Sequence, residues 1–395
     1  MDRIIMHIDV NNAFLSWTAT DLLEKGYKID IRTIESIIAG DPTKRSGIVL
    51  AKSPLAKKKG IKTAETIYEA KRKCPNLKIY KPNYQMYQEK SKSLFNLLKT
   101  YTPDIEIASI DECYIDYTKV KNLYKDEKIF AENLKSKIKK ELGFTVNIGI
   151  ANNKLCAKMA SDFEKPDKVH TLYHYEIKEK MYPLPIEELF TVGKRTSEKL
   201  KEIGIKKIKD LAQANEYNLR KIFKNQAKYL IDIANGIDNE EVNIEKRVPK
   251  GISNEITLGN DLTSKQEIKK VLKTLSEMLS KRIQKEEKYA QVVCLILKDN
   301  NFKRYSHQKK LKNPINSYEE IYKYAQELLN EYYKEGKIRL VGLRLDDLKE
   351  NKTYQTSLFE TPKEPDKIDK LIKEINQKYG KNALKRASFI DNNEK

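Results

Sequence analysis

Asp111 and Glu112 stand side by side in Ala108-Ser109-Ile110-Asp111-Glu112-Cys113-Tyr114-Ile115-Asp116, where the other residues read as buried strand. A carboxylate removed from water is costly unless it is paired or holds a cation. Taken alone, the two acids fit a solvated hairpin turn and a binding site equally well. A second apolar strand, Ile4-Ile5-Met6-His7-Ile8-Asp9-Val10, also runs into an acid, Asp9. Three acids at strand ends in a basic chain point to a two-cation site for phosphate chemistry, since Mg²⁺ takes carboxylates together with phosphate oxygens.

Length and charge bound what surrounds such a site. The chain has 395 residues, with Lys+Arg 77 against Asp+Glu 57 and a net charge of +20. That length fits roughly two to four domains. The positive excess calls for a polyanionic partner, nucleic acid first and an anionic membrane surface second. No apolar run is long enough to span a bilayer, and the first strand is too short and acidic for a signal peptide, so no membrane partner is expected. The cysteines (Cys74, Cys113, Cys156 and Cys294) form no C-x-x-C pair, and His is too sparse to complete a zinc site. They read as reduced core thiols of a cytoplasmic protein.

Periodicity locates the elements that would position the acids. A helix starts at Asn12, runs through Phe14, Trp17, Leu22 and Leu23, and ends at Gly26. Between 27 and 82, short strands alternate with basic helix. There Pro54 opens a helical turn that presents Lys57, Lys58 and Lys59, a cluster that also suits a solvated face. Helices are expected over Tyr84–Tyr101, Ile129–Leu142 and Asn153–Phe163, with a strand over Thr145–Ile150. The outcome is an α+β unit with helices on one side of its sheet, and the three acids are neighbours if the first strand is central. Residues 168–236 read as a separate helical unit. In it Gly193, Lys194 and Arg195 form a turn that suits either a phosphate backbone or an ordinary αα-hairpin. A polar linker over 237–250 leads to a second α+β unit over 251–348. Its stretch Phe302–Lys312, with Lys303 and Arg304, holds no acid and suits a strand laid along phosphates. A helix near 365–379 follows.

Together these residues resemble the Y-family DNA polymerases, of the bacterial polymerase IV and UmuC-like translesion type, over about residues 1–350. The resemblance rests on His7-Ile8-Asp9 followed five residues on by Phe14, and on Ser109-Ile110-Asp111-Glu112. It rests also on Gly149-Ile150-Ala151-Asn152-Asn153-Lys154 running to Lys165-Pro166. It implies a multidomain α+β right-hand polymerase with a ferredoxin-like palm (1–26 and 83–167), small fingers (27–82) and a helical thumb with a helix-hairpin-helix (168–236). The linker, an α+β little finger (251–348) and a tail (349–395) complete it.

The activity implied is template-directed, low-fidelity, low-processivity DNA synthesis for translesion repair, by a monomer acting on primer-template DNA and dNTP with two Mg²⁺ ions. On the resemblance, Asp9, Asp111 and Glu112 are catalytic and hold the ions with the backbone carbonyl of Val10. Lys57 and Lys165 bind the triphosphate, and Phe14 is a steric gate against a ribose 2′-hydroxyl; by spacing alone Phe14 is a core residue of its helix. Pro54 and Lys57 depart from a Tyr and Arg pair in many relatives, and lysine lacks the bidentate fork of arginine. Thr191 stands where relatives often carry the first glycine of the thumb hairpin. Gln355-Thr356-Ser357-Leu358-Phe359 resembles the peptide that binds the bacterial sliding clamp (beta), Leu358 and Phe359 filling an apolar pocket and Gln355 fixing register. Two further readings stand beside this one: a palm-type nucleotidyl cyclase, and a non-catalytic DNA- or clamp-binding accessory protein.

Overall fold

A computed structural model describes residues 3–41, 47–124, 126–245 and 249–350, with Leu371, Ile375, Lys378 and Leu384. Gln355, Leu358 and Phe359 lie outside the described residues, as does most of the helix expected near 365–379. The chain divides into two compact units, Met1–Lys246 and Arg247–Lys395.

In the first unit, β1 (Ile5–Val10) leads into α1 (Ala13–Glu24) through Asn12, which takes the left-handed conformation that Asn tolerates. A small sheet follows, built from β2 (Ser36–Ala39), β3 (Val49–Lys52) and β4 (Lys78–Tyr80) in the order β3-β2-β4. It carries α2 (Pro54–Lys58) and α3 (Ile67–Lys73). Ser53 caps α2 by accepting from the Ala56 amide, and Pro54 supplies the first-turn residue that needs no donor. The chain continues through α4 (Tyr84–Lys99), β5 (Ile105–Ile107), β6 (Glu112–Asp116), α5 (Lys121–Tyr124), α6 (Glu127–Leu142), β7 (Val146–Ala151), α7 (Lys154–Asp162) and β8 (Val169–Leu172).

Five strands form the main sheet in the order β5-β6-β1-β7-β8, with β1 in the centre and antiparallel to both neighbours. Alternation along β1 sends Met6, Ile8 and Val10 to one face and Ile5, His7 and Asp9 to the other. The first face meets α4 through Tyr87, Leu94 and Leu98 and α6 through Phe130, Leu134 and Ile138, each at helical spacing. The sequence suggested helices on one side only, but α7 packs on the opposite face. Gly149 permits this: a Cβ there would lie 2.0 Å from the Ala157 carbonyl oxygen, so only a bare backbone lets α7 settle on β7.

Two boundaries also differ from the sequence reading. Residues from 168 onward were expected in a separate helical unit, yet β8 pairs parallel to β7 inside the main sheet. Beyond it, α8 (Lys194–Glu202), α9 (Ile208–Ala212), α10 (Glu216–Phe223) and α11 (Gln226–Ala234) close around Leu200, Leu211, Leu219 and Leu230, in a core continuous with the α7 side of the sheet. A four-residue edge strand just after a proline gives periodicity too little to register. The polar run expected as a linker from 237 is tied back onto the first unit at its start. Asp238 accepts from the Leu155 amide at 3.0 Å, and Asn243 donates its amide to Glu106 at 2.9 Å. Lys154 and Glu106 form a buried ion pair at 2.8 Å, and Glu240 gives the ammonium a further oxygen at 3.2 Å. A buried pair needs its remaining hydrogen-bonding capacity filled, and these linker residues fill it.

The second unit is a four-stranded antiparallel sheet in the order β11-β10-β12-β9, from β9 (Gly251–Leu262), β10 (Tyr289–Asp299), β11 (Arg304–Ile315) and β12 (Ile338–Lys349). Its core is lined by α12 (Lys265–Lys285), through Leu272, Leu275, Leu279 and Ile283, and by α13 (Tyr318–Tyr332), through Ile321, Ala325 and Leu328. Among the described residues no helix is long and apolar enough to cross a membrane.

Candidate active site

Strand register builds the site. Asp9 on β1 lies directly across from Glu112 on β6 and from Asn147 on β7, so the three side chains share one sheet face in a single row. Asp111 precedes β6 by one residue; its carbonyl accepts the Val10 amide at 3.0 Å, and its carboxylate accepts from the Ser109 hydroxyl at 2.6 Å. The three acids singled out in the sequence are therefore neighbours. Burial pushes the Asp111 carboxyl above its ordinary range, and the charges of Asp9 and Glu112 push the same way.

Two lysines meet this charge. Lys158, on α7, lies 2.9 Å from Glu112 Oε2 and 3.7 Å from Asp9 Oδ1. Lys165 lies 2.5 Å from Asp9 Oδ2 and 2.8 Å from Asp162 Oδ1. Against the pull of burial, Asp9, Glu112 and Asp162 hold the Lys158 ammonium above the usual lysine range. His7 Nε2 stands 3.3 Å from Glu112 Oε2, and His7 together with Lys158 holds the Glu112 carboxyl down at about 2. The other ring nitrogen, Nδ1, is 2.8 Å from the Ser161 hydroxyl. The Ser161 Oγ also lies 2.8 Å from the Lys158 carbonyl oxygen. Burial favours the neutral form of this fully enclosed ring.

Sequence reasoning gave no role to His7, Lys158, Ser161 or Asn147. A signal existed for two of them: residues 154, 158 and 161 recur at helical spacing and so share one side of α7. Nothing in the sequence linked them to His7, because that link crosses the sheet.

Phe14 lies in the first turn of α1 and is partly exposed. Its ring stacks on Tyr87 at 4.6 Å with an interplanar angle of 11°, and meets Tyr84 edge-on at 6.3 Å. Asn12 donates to the Lys52 carbonyl at 2.7 Å, tying the start of α1 to β3. Lys57 is exposed on α2 and has no described contact with the acids. Burial first, then the charge of Lys57, holds Lys52 below the usual lysine range against the opposing pull of Glu65.

The other residues marked in the sequence lie apart from the acids. Gly193 is the N-cap of α8, with open space where a Cβ would be, and Lys194 and Arg195 form its first turn. Thr191 takes φ 76, a left-handed conformation that a β-branched residue rarely enters and that glycine takes freely. In the second unit, Lys303 rests over the Tyr305 ring at 5.2 Å, while Arg304 is paired with Glu255 at 2.5 Å.

The donor set suits a hard divalent cation, being carboxylate oxygen throughout. Ammonium groups already sit on the same oxygens, so the cluster draws positive charge where such an ion would go. As placed, the carboxylates turn to separate partners, and no group of three His, Cys, Asp or Glu among the described residues converges on one ion position. Binding an ion therefore requires Asp9 and Glu112 to trade a lysine contact for a metal contact.

Comparison with known proteins places this geometry in a family. The model of the impB/mucB/samB family matches residues 8–162, that of its C-terminal domain residues 249–358, and that of the IMS family HHH motif residues 176–205. DNA polymerase IV of Clostridium acetobutylicum is 45% identical over 398 residues, covering 100% of both chains. DNA polymerase IV of Bacillus velezensis is 33% identical, over 99% of this chain and 94% of its own. Among solved structures, a Y-family DNA polymerase chimera matches with a TM-score of 0.76 at 26% identity, over 88% of this chain and 100% of that one.

Proposed function

The chain belongs to the impB/mucB/samB family, the Y-family DNA polymerases, and on that premise we propose that it is a template-directed DNA polymerase of low fidelity and low processivity that works in translesion synthesis. The observation that carries this reading is the strand row of Glu112 and Asp9 beside Asp111, with Lys165 reaching into it.

In the proposed reaction Asp9, Asp111, Glu112 and the Val10 carbonyl would hold two Mg²⁺ ions. Bound there, the ions would lower the pKa of the primer 3′-hydroxyl and neutralise the charge that builds on pyrophosphate. Lys165 turns from Asp9 to a phosphate oxygen of dNTP, and Lys57 adds a second cation as a point charge. Phe14, its ring fixed by Tyr87, occupies the volume a ribose 2′-hydroxyl would need. Gly193, Lys194 and Arg195, and Lys303 and Arg304, contact backbone phosphates without reading sequence. Gln355, Leu358 and Phe359 dock on the β sliding clamp, and the enzyme acts as a cytoplasmic monomer.

Primer extension with Mg²⁺ and dNTPs tests the core of this reading. Wild type should add the nucleotide that the template dictates, and Asp111→Asn should not. Failure of wild type to extend, or formation of a cyclic nucleotide instead, would end the proposal.

A further inference from the structure

Asn147 is fully buried in the row that contains Asp9. Its hydrogen bonds account for its place. Nδ2 donates to the Glu164 carbonyl at 2.7 Å and to the Ser161 carbonyl at 3.0 Å. Oδ1 accepts from Asn11 Nδ2 at 3.0 Å and from the Lys168 amide at 3.2 Å. Both donor protons and both lone pairs are used. Asn11, itself buried two residues beyond Asp9, accepts the Asp167 amide at 2.9 Å. Three of these bonds go to the backbone of the loop that follows α7, one just before Lys165 and two just after it. Aspartate could not replace Asn147, since it would face two carbonyl oxygens without a proton to give.

We propose that Asn147, with Asn11, is a positioning residue for the known reaction of this family, clamping the Lys165 loop to the catalytic strand so that the lysine meets the triphosphate of the incoming dNTP. The inference rests on the nucleotide role of Lys165. The loop is tied on both sides of that residue, so the ammonium is presented from a fixed backbone and only its side chain moves between Asp9 and a phosphate. A fixed presentation spares the ordering of a loop at each binding event, and its loss appears as weaker nucleotide binding.

Single-nucleotide insertion on a primer-template tests it, with Asn147→Ala, Asn11→Ala, Lys165→Ala and the double variant Asn147→Ala/Lys165→Ala. Asn147→Ala should raise KM for dNTP by ~10-fold, and Asn11→Ala, which spares the two Nδ2 bonds of Asn147, by ~3-fold. Affinity for primer-template should hold within ~2-fold, and kcat should change less than KM. The double variant should be no worse than Lys165→Ala, because the clamp acts through that lysine. If Lys165→Ala raises KM while both asparagine variants leave it unchanged, or if the effects add in the double variant, the clamp is structural and the proposal falls. If Lys165→Ala itself leaves KM unchanged, the nucleotide role of Lys165 falls and takes the proposal with it. Should Asn147→Ala fail to fold, a wild-type KM in Asn11→Ala overturns the proposal.

Discussion

The sheets of the two units are built alike and carry charge in opposite ways. Each is largely antiparallel, and each has a helix-covered apolar face formed by the same alternation. In the first unit, charged groups converge on the other face and are held out of water. Asp9 and Lys158 are largely enclosed and each touches at least two opposite charges, while the buried His7 ring faces Glu112. In the second unit the cations are spread and wet: Lys303 over Tyr305, Lys298 and Arg339 against the Phe302 ring, Lys309 paired with Glu327. Enclosed charge is strong, short-ranged and intolerant of displacement, whereas exposed charge is weak singly and sums over distance. The first suits chemistry at one phosphorus atom, the second a grip on a polyanion whose sequence does not matter.

That contrast predicts a gradient of mutational effect. Asp111→Asn should lower extension at least ~1,000-fold, because in the proposed mechanism this carboxylate balances metal and phosphate charge. Its affinity for primer-template, measured by fluorescence anisotropy, should stay within ~2-fold of wild type. A large loss of DNA affinity would break the division of labour between the two sheets. Phe14→Ala should reduce discrimination against rNTPs by ~100-fold, read as the ratio of kcat/KM values, with a smaller effect on dNTP insertion. An unchanged ratio would return Phe14 to the aromatic stack as a packing residue.

Lys158→Met leaves Asp9 and Glu112 enclosed with one cation fewer. The melting temperature without divalent ions should fall by roughly 5 °C, and added Mg²⁺ should restore part of it by occupying the vacated position. A variant as stable as wild type in chelator would mean that the acids do not need the lysine. The smallest effects belong to the second unit. Lys303→Ala should weaken DNA binding ~3-fold at low salt and flatten the salt dependence by about one ion. Arg304→Ala should do less, because Glu255 already takes up part of that charge, and Glu255→Ala should tighten binding. Equal losses at Lys303 and Arg304 would show that the Glu255 pair opens on DNA.

What the sequence disclosed follows the same division. Asp9, Asp111 and Glu112 were legible because a carboxylate closing an apolar strand contradicts its surroundings. The helix expected over Tyr84–Tyr101 was legible from its long apolar stripe and forms over Tyr84–Lys99. Lys158, His7 and Asn147 were not, because each gains its meaning from a partner on another strand or helix, and register is not written in one segment. Lys303 and Arg304 stand in a stretch without acids, but the acid paired with Arg304 lies 49 residues away. The start of the expected linker looked solvated because its acids read as polar surface; the partners of Asp238 and Glu240, the Leu155 amide and Lys154, lie on another element.

Gly149 sets the tolerance of the whole centre. With a Cβ excluded there, the distance between α7 and the sheet has no adjustable spacer, and one methyl group is the unit of error. Lys158 and Ser161 ride on the helix, while Glu112 and His7 stand on the sheet, so every contact between them is gauged across this seam. A Gly149→Ala chain that still folded would carry all its reactive groups and meet none of its clearances. The alignment of the centre is thus kept by a position that offers no functional group at all.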